Sequence, residues 1–322
     1  MSDDVYRAHT HEDLINALPT CFGFVPRECV IAMAVSGPRC TMGFRLRHDL
    51  PRPGDEAALA AELVPHLLRH GKEGFFVFAL SSDAERARVM ALALRDALPP
   101  RRDWLTIWAD DHRIWSDLPG HREEGEPYTR QPHHESVVRA VAQGQVILSD
   151  RSELAKEVAP PKGPRARWLD RTHDVVLDRF TARALTTDPE DFLAAECGRV
   201  DRIVDRALAG AVVTDGDLVE LAVMTSSLNV RDFAWLRIDR SNAQAMHDLW
   251  AAVSRVASPD FAPAPLCLTA FAAWQQGDGA RALVALDRVR EVDPGYRMGE
   301  LLQRTLEAGL HPDTWSAADA SA

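Results

Sequence analysis

The chain has 322 residues, of which 46% are apolar and 26% are charged. This length and composition predict about two globular domains and exclude a disordered, collagen-like or coiled-coil chain. The formal net charge is −11 and is spread evenly over the two halves. We therefore expect no nucleic-acid partner, because phosphate binding needs a surplus of basic residues on one surface. Three of the 37 basic residues are lysines and the others are arginines, which we interpret as the codon usage of a GC-rich genome.

The sequence shows no signal for export or membrane insertion. It begins Met1-Ser2-Asp3-Asp4 without the apolar core of a signal peptide. Its longest apolar runs, such as 75–80, have the length of a strand and not of a membrane span. The five cysteines are odd in number and widely spaced, which is typical of reduced thiols. We therefore expect a cytoplasmic protein without a membrane partner.

Residues 1–158 alternate strand and helix patterns in chain order. A capping box at Thr10 predicts a helix through Leu18. The further helices are predicted at 54–71, 83–98 and 135–142, and the strands at 29–35, 41–47, 74–80, 104–109, 113–115 and 145–148. The segment 110–132 is long and polar, which is typical of a functional or mobile loop. This order predicts an α/β or α+β domain with a mixed sheet.

The second half of the sequence has a helical pattern. Three prolines and a glycine fall within 159–165, so we place a linker at 159–167. Helical periodicity then continues to residue 315, which predicts an all-helical domain over 168–315 and a disordered tail over 316–322. The predicted helices lie at 189–210, 215–228, 230–238, 241–256, 265–276, 280–292 and 297–309.

One segment, at about 263–294, resembles the helix pair of a tetratricopeptide repeat. A small residue, Ala282, lies in the second helix, and Pro294 follows it at the spacing of that repeat. The signature residues are Trp274, Gly277, Asp278, Ala282, Asp293, Pro294 and Tyr296. Two interpretations stay open: an ordinary antiparallel helix pair, or a short repeat surface that binds a partner. We expect Trp235, Trp250 and Trp274 to be core residues, because large aromatic side chains dominate helix packing.

Four stretches of the sequence carry a resemblance to a known family. Residues 18–35 read LPTCFGFVPRECVIAMAV, and residues 271–296 read FAAWQQGDGARALVALDRVREVDPGY. With GFRLRHDLP at 43–51 and RDFAWLRI at 231–238, these resemble an actinobacterial family described as a domain of unknown function, DUF4192. The resemblance implies a cytosolic bacterial setting and assigns no activity.

The sequence lacks the motifs of the common catalytic classes. It has no phosphate loop, no dinucleotide fingerprint and no Gly-x-Ser-x-Gly nucleophile turn. Cys21 lies at a helix end, which does not lower the pKa of a thiol, so we expect it to be a packing residue. We predict no catalytic residues and no cofactor.

Two polar groups of the first domain are candidate binding residues. Arg45, Arg47 and Asp49 share one face of a strand and are suited to an anionic ligand, or else form ion pairs on a solvated face. His133, His134 and Glu135 lie at a helix start and are predicted as a solvent-exposed polar cap. Adjacent histidines lack the His-Glu-x-x-His spacing of a zinc motif, so we expect no metal site.

The absence of catalytic motifs and the presence of the repeat-like segment favour an interaction protein over an enzyme. The favoured hypothesis is a non-enzymatic interaction or scaffold protein with a protein partner. The alternative is an enzyme or small-ligand-binding protein whose site lies on the α/β domain near residues 110–135. The oligomeric state does not follow from the sequence.

Overall fold

The computed structural model of the chain describes residues 6–37, 41–70, 73–100 and 105–315. Contacts divide the chain into two compact units, residues 1–151 and residues 152–322. Three sequence predictions fall wholly or partly outside the described residues: the helix end at residue 71, the strand start at Trp104, and the tail over 316–322.

The first unit contains a mixed sheet, as the sequence predicts. Six strands among the described residues pair in the order β2-β1-β3-β4-β5-β6. β3 and β4 are parallel, and every other neighbouring pair is antiparallel. The strands are β1 Cys29–Ser36, β2 Thr41–Asp49, β3 Gly74–Leu80, β4 Leu105–Ala109, β5 Arg113–Ser116 and β6 Glu126–Pro127. The helices are α1 His11–Phe22, α2 Glu56–His70, α3 Ala84–Ala97 and α4 Glu135–Ala142.

Helices cover both faces of this sheet. Successive side chains of β1 point to opposite faces, and every residue of that strand except Ser36 is buried. Val30, Ala32 and Ala34 pack with α2 and α3 in one core cluster. Ile31 and Met33 pack with α1 in a second cluster. The first unit is therefore a three-layer α/β arrangement, and its continuous apolar strands reflect burial on both sides.

The N-terminal helix begins where the sequence predicts and extends further. Thr10 forms the predicted capping box with Asp13. The helix continues past Leu18 through Pro19 and ends at Gly23, whose φ of +72° is the left-handed conformation that favours glycine. This extension carries Cys21 onto the last turn of α1.

The segment after β4 differs from the prediction. Residues 110–132 contain β5, which was predicted, and β6, whose two residues and proline gave no strand signal. The strand predicted at 145–148 is wrong, because only Leu148 pairs, forming an isolated bridge to Phe24. Leu148 makes one backbone hydrogen bond with Gly23 and one with Val25, which form a bridge and not a strand ladder.

The second unit is helical throughout its described part. Its helices are α5 Ser152–Val158, α6 Pro164–Thr186, α7 Pro189–Leu208, α8 Asp215–Met224, α9 Leu228–Leu236, α10 Ala243–Val256, α11 Pro263–Gln275, α12 Gly279–Val292 and α13 Arg297–Glu307. Short 3₁₀ turns lie at Pro259–Phe261 and Pro312–Thr314. No helix of the described residues is long and apolar enough to cross a membrane.

The predicted linker overlaps a helix. Residues 164–167 belong to α6, because Pro164 at the first helical position loses no hydrogen bond and its fixed φ suits a helix start. α5 packs against α10 and α12, so the contact division of the chain falls before residue 152 and not at 158.

Candidate functional site

Arg45, Arg47 and Asp49 lie on one face of the edge strand β2, opposite Met33, Ile31 and Cys29 of β1. Arg47 is paired with Asp49, with Nη1 2.5 Å from Oδ1. It also donates to the backbone carbonyl of Arg27 and lies over the ring of Phe24. The guanidinium is therefore already held by protein groups, whereas Arg45 is exposed.

The histidine pair divides into an exposed and a buried residue. His133 is exposed, whereas His134 is buried and does not cap α4 with its side chain. The Nδ1 atom of His134 lies 2.8 Å from the Ser136 hydroxyl, and its Nε2 atom lies 3.2 Å from the Tyr6 hydroxyl. The predicted solvent-exposed cap is thus wrong for His134, because these partners satisfy its ring inside the unit.

The surroundings of His134 include charged groups on two helices. Asp13 lies 3.5 Å from its Nε2 atom, and the pKa of Asp13 is lowered, mainly by the hydrogen bond from the backbone N–H of His9. Glu135 pairs with Arg139 one turn along α4. No hydrogen bond or ion pair among the described residues joins His133, His134 or Glu135 to the β2 group. The two predicted groups have separate partners.

A different cluster combines α1 with the segment that precedes α4. His11 at the start of α1, His121 after β5 and Glu126 of β6 have ligand atoms that all lie within 4.8 Å of one another. The rings of His11 and His121 have centroids 5.2 Å apart, and His121 Nε2 lies 3.8 Å from Glu126 Oε1. Sequence reasoning missed this group, because its members are far apart in the chain and match no local motif.

His121 is the most unusual member of this cluster. Its side chain is 5% exposed, and neither of its ring nitrogens has a hydrogen-bond partner among the described residues. Burial lowers the pKa of His11, and the neighbouring His121 lowers it further, against the opposing charge of Glu126. The cluster therefore presents imidazole nitrogens beside a carboxylate that is half exposed to solvent.

The two cysteines of the first unit that the structure describes, Cys21 and Cys29, are poor nucleophiles. Burial raises the pKa of the Cys21 thiol, and it raises that of Cys29 to about 11. A thiol that stays protonated neither attacks a carbonyl nor binds a metal readily. The packing role predicted for Cys21 agrees with this environment.

The predicted helix-pair signature lies on α11, α12 and the residues that flank them. Ala282 is a buried residue of α12. Asp278 caps that helix by accepting a hydrogen bond from the backbone N–H of Arg281. Trp274 donates from Nε1 to the carbonyl of Leu310. The hydroxyl of Tyr296 accepts from Arg231. All 13 residues of α11 are buried, so this helix has no free face.

Of the three tryptophans expected in the core of this unit, two are buried. Trp250 is fully buried and Trp274 nearly so. Trp235 is half-buried and stacks on Trp315, with ring centroids 4.7 Å apart. Phe271 completes the cluster with edge contacts to both stacked indoles.

An open depression of about 420 Å³ lies between α7 and α8. Its α7 side carries Arg199, Arg202 and Arg206 around Ile203, and its α8 side carries Asp217 and Glu220. Arg206 pairs with Asp217, with Nη2 2.5 Å from Oδ1. No sequence prediction included these residues, because a helix face with alternating charge is also typical of an ordinary solvated surface.

The chain thus consists of a three-layer α/β unit followed in sequence by a helical unit. The model of a family described as a domain of unknown function (DUF4192) matches residues 12–313. The chain belongs to this family. No curated protein and no solved structure matches it.

Proposed function

We propose that this protein is a non-enzymatic interaction protein that binds a polypeptide partner through its helical unit. The observation that carries the proposal is the open, arginine-lined depression between α7 and α8. Arginine is enriched at protein interfaces, because its planar guanidinium combines apolar contact with several hydrogen bonds. An open surface of this kind suits an extended chain better than a small molecule, which is usually enclosed by its site.

Exposed apolar residues adjoin the depression in the chain. Leu208 ends α7, and Val212 follows in the connection to α8 with 82% of its surface exposed. The floor of the depression contributes Ile203, which is buried. An apolar centre surrounded by charged groups is the usual composition of a protein interface.

The arginine charge in the depression that has no ionic partner in the described chain favours an acidic segment as the ligand. Arg202 is exposed and has no ionic partner among the described residues. Arg199 makes only a 3.5 Å contact with Glu196, which is already held by two hydrogen bonds from Arg183. The three arginines outnumber the two acidic residues of the lining, whereas the whole chain carries a net charge of −11, so we expect this surface to attract an acidic segment better than the average surface of the protein does.

The tetratricopeptide-like pair is a less suitable surface. A repeat binds its partner on exposed helix faces, whereas α11 is buried on every side. We therefore place the partner on α7 and α8 and treat α11 and α12 as the packing centre of the unit. We further propose that the protein acts in the cytoplasm of an actinobacterium. The four unpaired cysteines among the described residues support the cytoplasm, because thiols stay reduced there.

Affinity capture with matched charge-reversal baits tests this function. R202E reverses the free charge of the depression, and R304E makes the same change at an exposed arginine on α13. We expect an acidic-segment protein to be enriched by wild type and R304E and reduced about tenfold or more with R202E. Partners that depend equally on both arginines, or on neither, would contradict the proposal.

A second candidate function is a small-ligand or enzymatic site on the first unit near residues 110–135. The cluster of His11, His121 and Glu126 favours it, because two of the three residues come from this segment. If the protein binds a small ligand and substitution of His121 abolishes that binding, this second function is favoured over the first. The substitution leaves the helical unit unchanged, so binding of a protein partner there would not be affected.

A further inference from the structure

We propose that His11, His121 and Glu126 bind one divalent transition-metal ion, and that Zn²⁺ is the ion this donor set suits best. The proposal departs from the expectation of no metal site, which was based on the absence of a local zinc motif. It is independent of the proposed interaction function, because all three ligands belong to the α/β unit.

The spacing of the three ligand atoms suits a metal centre. Since each pair lies within 4.8 Å, a point exists that is no more than about 2.8 Å from all three atoms. Zinc–nitrogen and zinc–oxygen bonds of about 2.1 Å require a contraction of less than about 1 Å per ligand. Histidine and glutamate side chains make such movements by rotation about their own torsions, without a change in the backbone.

The unpartnered nitrogens of His121 are the second, independent observation. A neutral imidazole has one donor and one acceptor nitrogen, and a buried polar atom without a hydrogen-bond partner destabilises the folded state. Both nitrogens of His121 are in this position, with the side chain 95% buried. A metal ion bound to one nitrogen removes the larger part of this cost, because coordination replaces the missing hydrogen bond.

The chemistry of the donors selects the ion. Two imidazoles and one carboxylate suit zinc and its neighbours in the first transition row, whereas Mg²⁺ and Ca²⁺ prefer oxygen ligands alone. Three protein ligands also leave a fourth position, since zinc is commonly tetrahedral. Glu126 is half exposed, so this position is accessible to water or to an anionic group from solvent.

The charges around the cluster are compatible with a cation. His11 lies in the first turn of α1, where the helix dipole disfavours positive charge. Glu12 and Asp13 in the same turn and Glu126 among the ligands oppose this effect. Asp13 is held by the capping box and by His134, so it neutralises the helix end without competing as a ligand.

Calorimetric titration of the full-length, untagged and chelator-treated protein with ZnCl₂ tests the site. We expect one equivalent of Zn²⁺ to bind, and we expect H121Q and E126Q each to weaken binding by about 100-fold or more. E126Q removes a half-exposed carboxylate, so its fold is retained even if H121Q destabilises the unit. H133Q is the matched control, because His133 is an exposed histidine of the same unit.

Cobalt substitution gives a second readout that does not depend on stability. Co²⁺ bound by two imidazoles and a carboxylate in a four- or five-coordinate site absorbs visible light, whereas loosely bound hydrated Co²⁺ absorbs weakly. We expect this absorption with wild type and H133Q and its loss with E126Q. Zinc binding that is unchanged in both E126Q and H121Q, or the absence of binding at micromolar Zn²⁺, would overturn the proposal.

Discussion

Gly125 allows the chain to turn into β6, and its replacement by alanine tests how the ligand segment is built. The residue has a φ of +76°, and a Cβ atom there would lie 2.5 Å from Cε2 and 2.6 Å from Nε1 of Trp115. The indole has little freedom to move away, because its Nε1 donates to the carbonyl of Glu123.

The expected cost of G125A has two parts. A side chain at this positive φ costs about 1–2 kcal/mol, and overpacking against a fixed neighbour costs about 1–3 kcal/mol. We therefore expect the free energy of unfolding of the first unit to fall by about 2–5 kcal/mol. Because Glu126 follows directly, the same change is expected to weaken zinc binding.

G120A separates the two parts. Gly120 has a φ of +89° in the same segment, but a Cβ atom there meets nothing within 4 Å. We expect this variant to lose only the conformational part, about 1–2 kcal/mol. The difference between the variants measures the contact with Trp115.

Hydrogen–deuterium exchange along a urea series is the suitable assay, because it follows peptides of the first unit separately from the helical unit. Exchange in 105–116 and 126–134 reports the opening of this part of the sheet. If G125A is no less stable than G120A, the packing of Trp115 against Gly125 is refuted.

Three further predictions concern both units. R183M is expected to lower the free energy of unfolding of the helical unit by about 2–4 kcal/mol, measured by urea unfolding. The substitution leaves the completely buried Glu196 without its bidentate partner, although the Arg183 side chain itself is 32% exposed. An unchanged unfolding midpoint would contradict this. Hydrogen bonds from Ser241 lower the pKa of Asp239 against the effect of burial. The ionised Asp239 therefore stabilises the fold above its ordinary pKa, and this stabilisation is lost as the pH falls through the lowered pKa. D239N should make the melting temperature less dependent on pH below about pH 4, and an unchanged dependence would refute this prediction. The buried Cys29, with a pKa of about 11, is expected to react with a disulfide reagent at pH 8 only after unfolding, and rapid labelling of the native protein at this residue would count against its burial.

The main elements follow from patterns that the chain displays locally. The apolar run of β1, the capping box at Thr10 and the proline that begins α7 are each visible within a few residues, and each forms as predicted. Pro164 shows the limit of this approach, since the same residue suits a linker and a helix start. Which applies depends on packing that no window of sequence contains.

The candidate sites depend even more on tertiary structure. The shared face of Arg45, Arg47 and Asp49 is predictable from strand periodicity. The meeting of His11 with His121 is not, because it requires α1 to lie beside the segment after β5. The burial of His134 likewise depends on Tyr6, which is distant in the chain.

Photo-crosslinking at Val212 tests the central claim, that the depression between α7 and α8 binds an acidic polypeptide. A photoreactive residue replaces Val212 or, as the control, Leu185 of α6, whose exposed fractions are 82% and 81%. We expect an adduct with an acidic segment of another protein from position 212, its loss when R202E is added, and no such adduct from position 185. Equal adducts from both positions, or an adduct at 212 that persists with R202E, would contradict it.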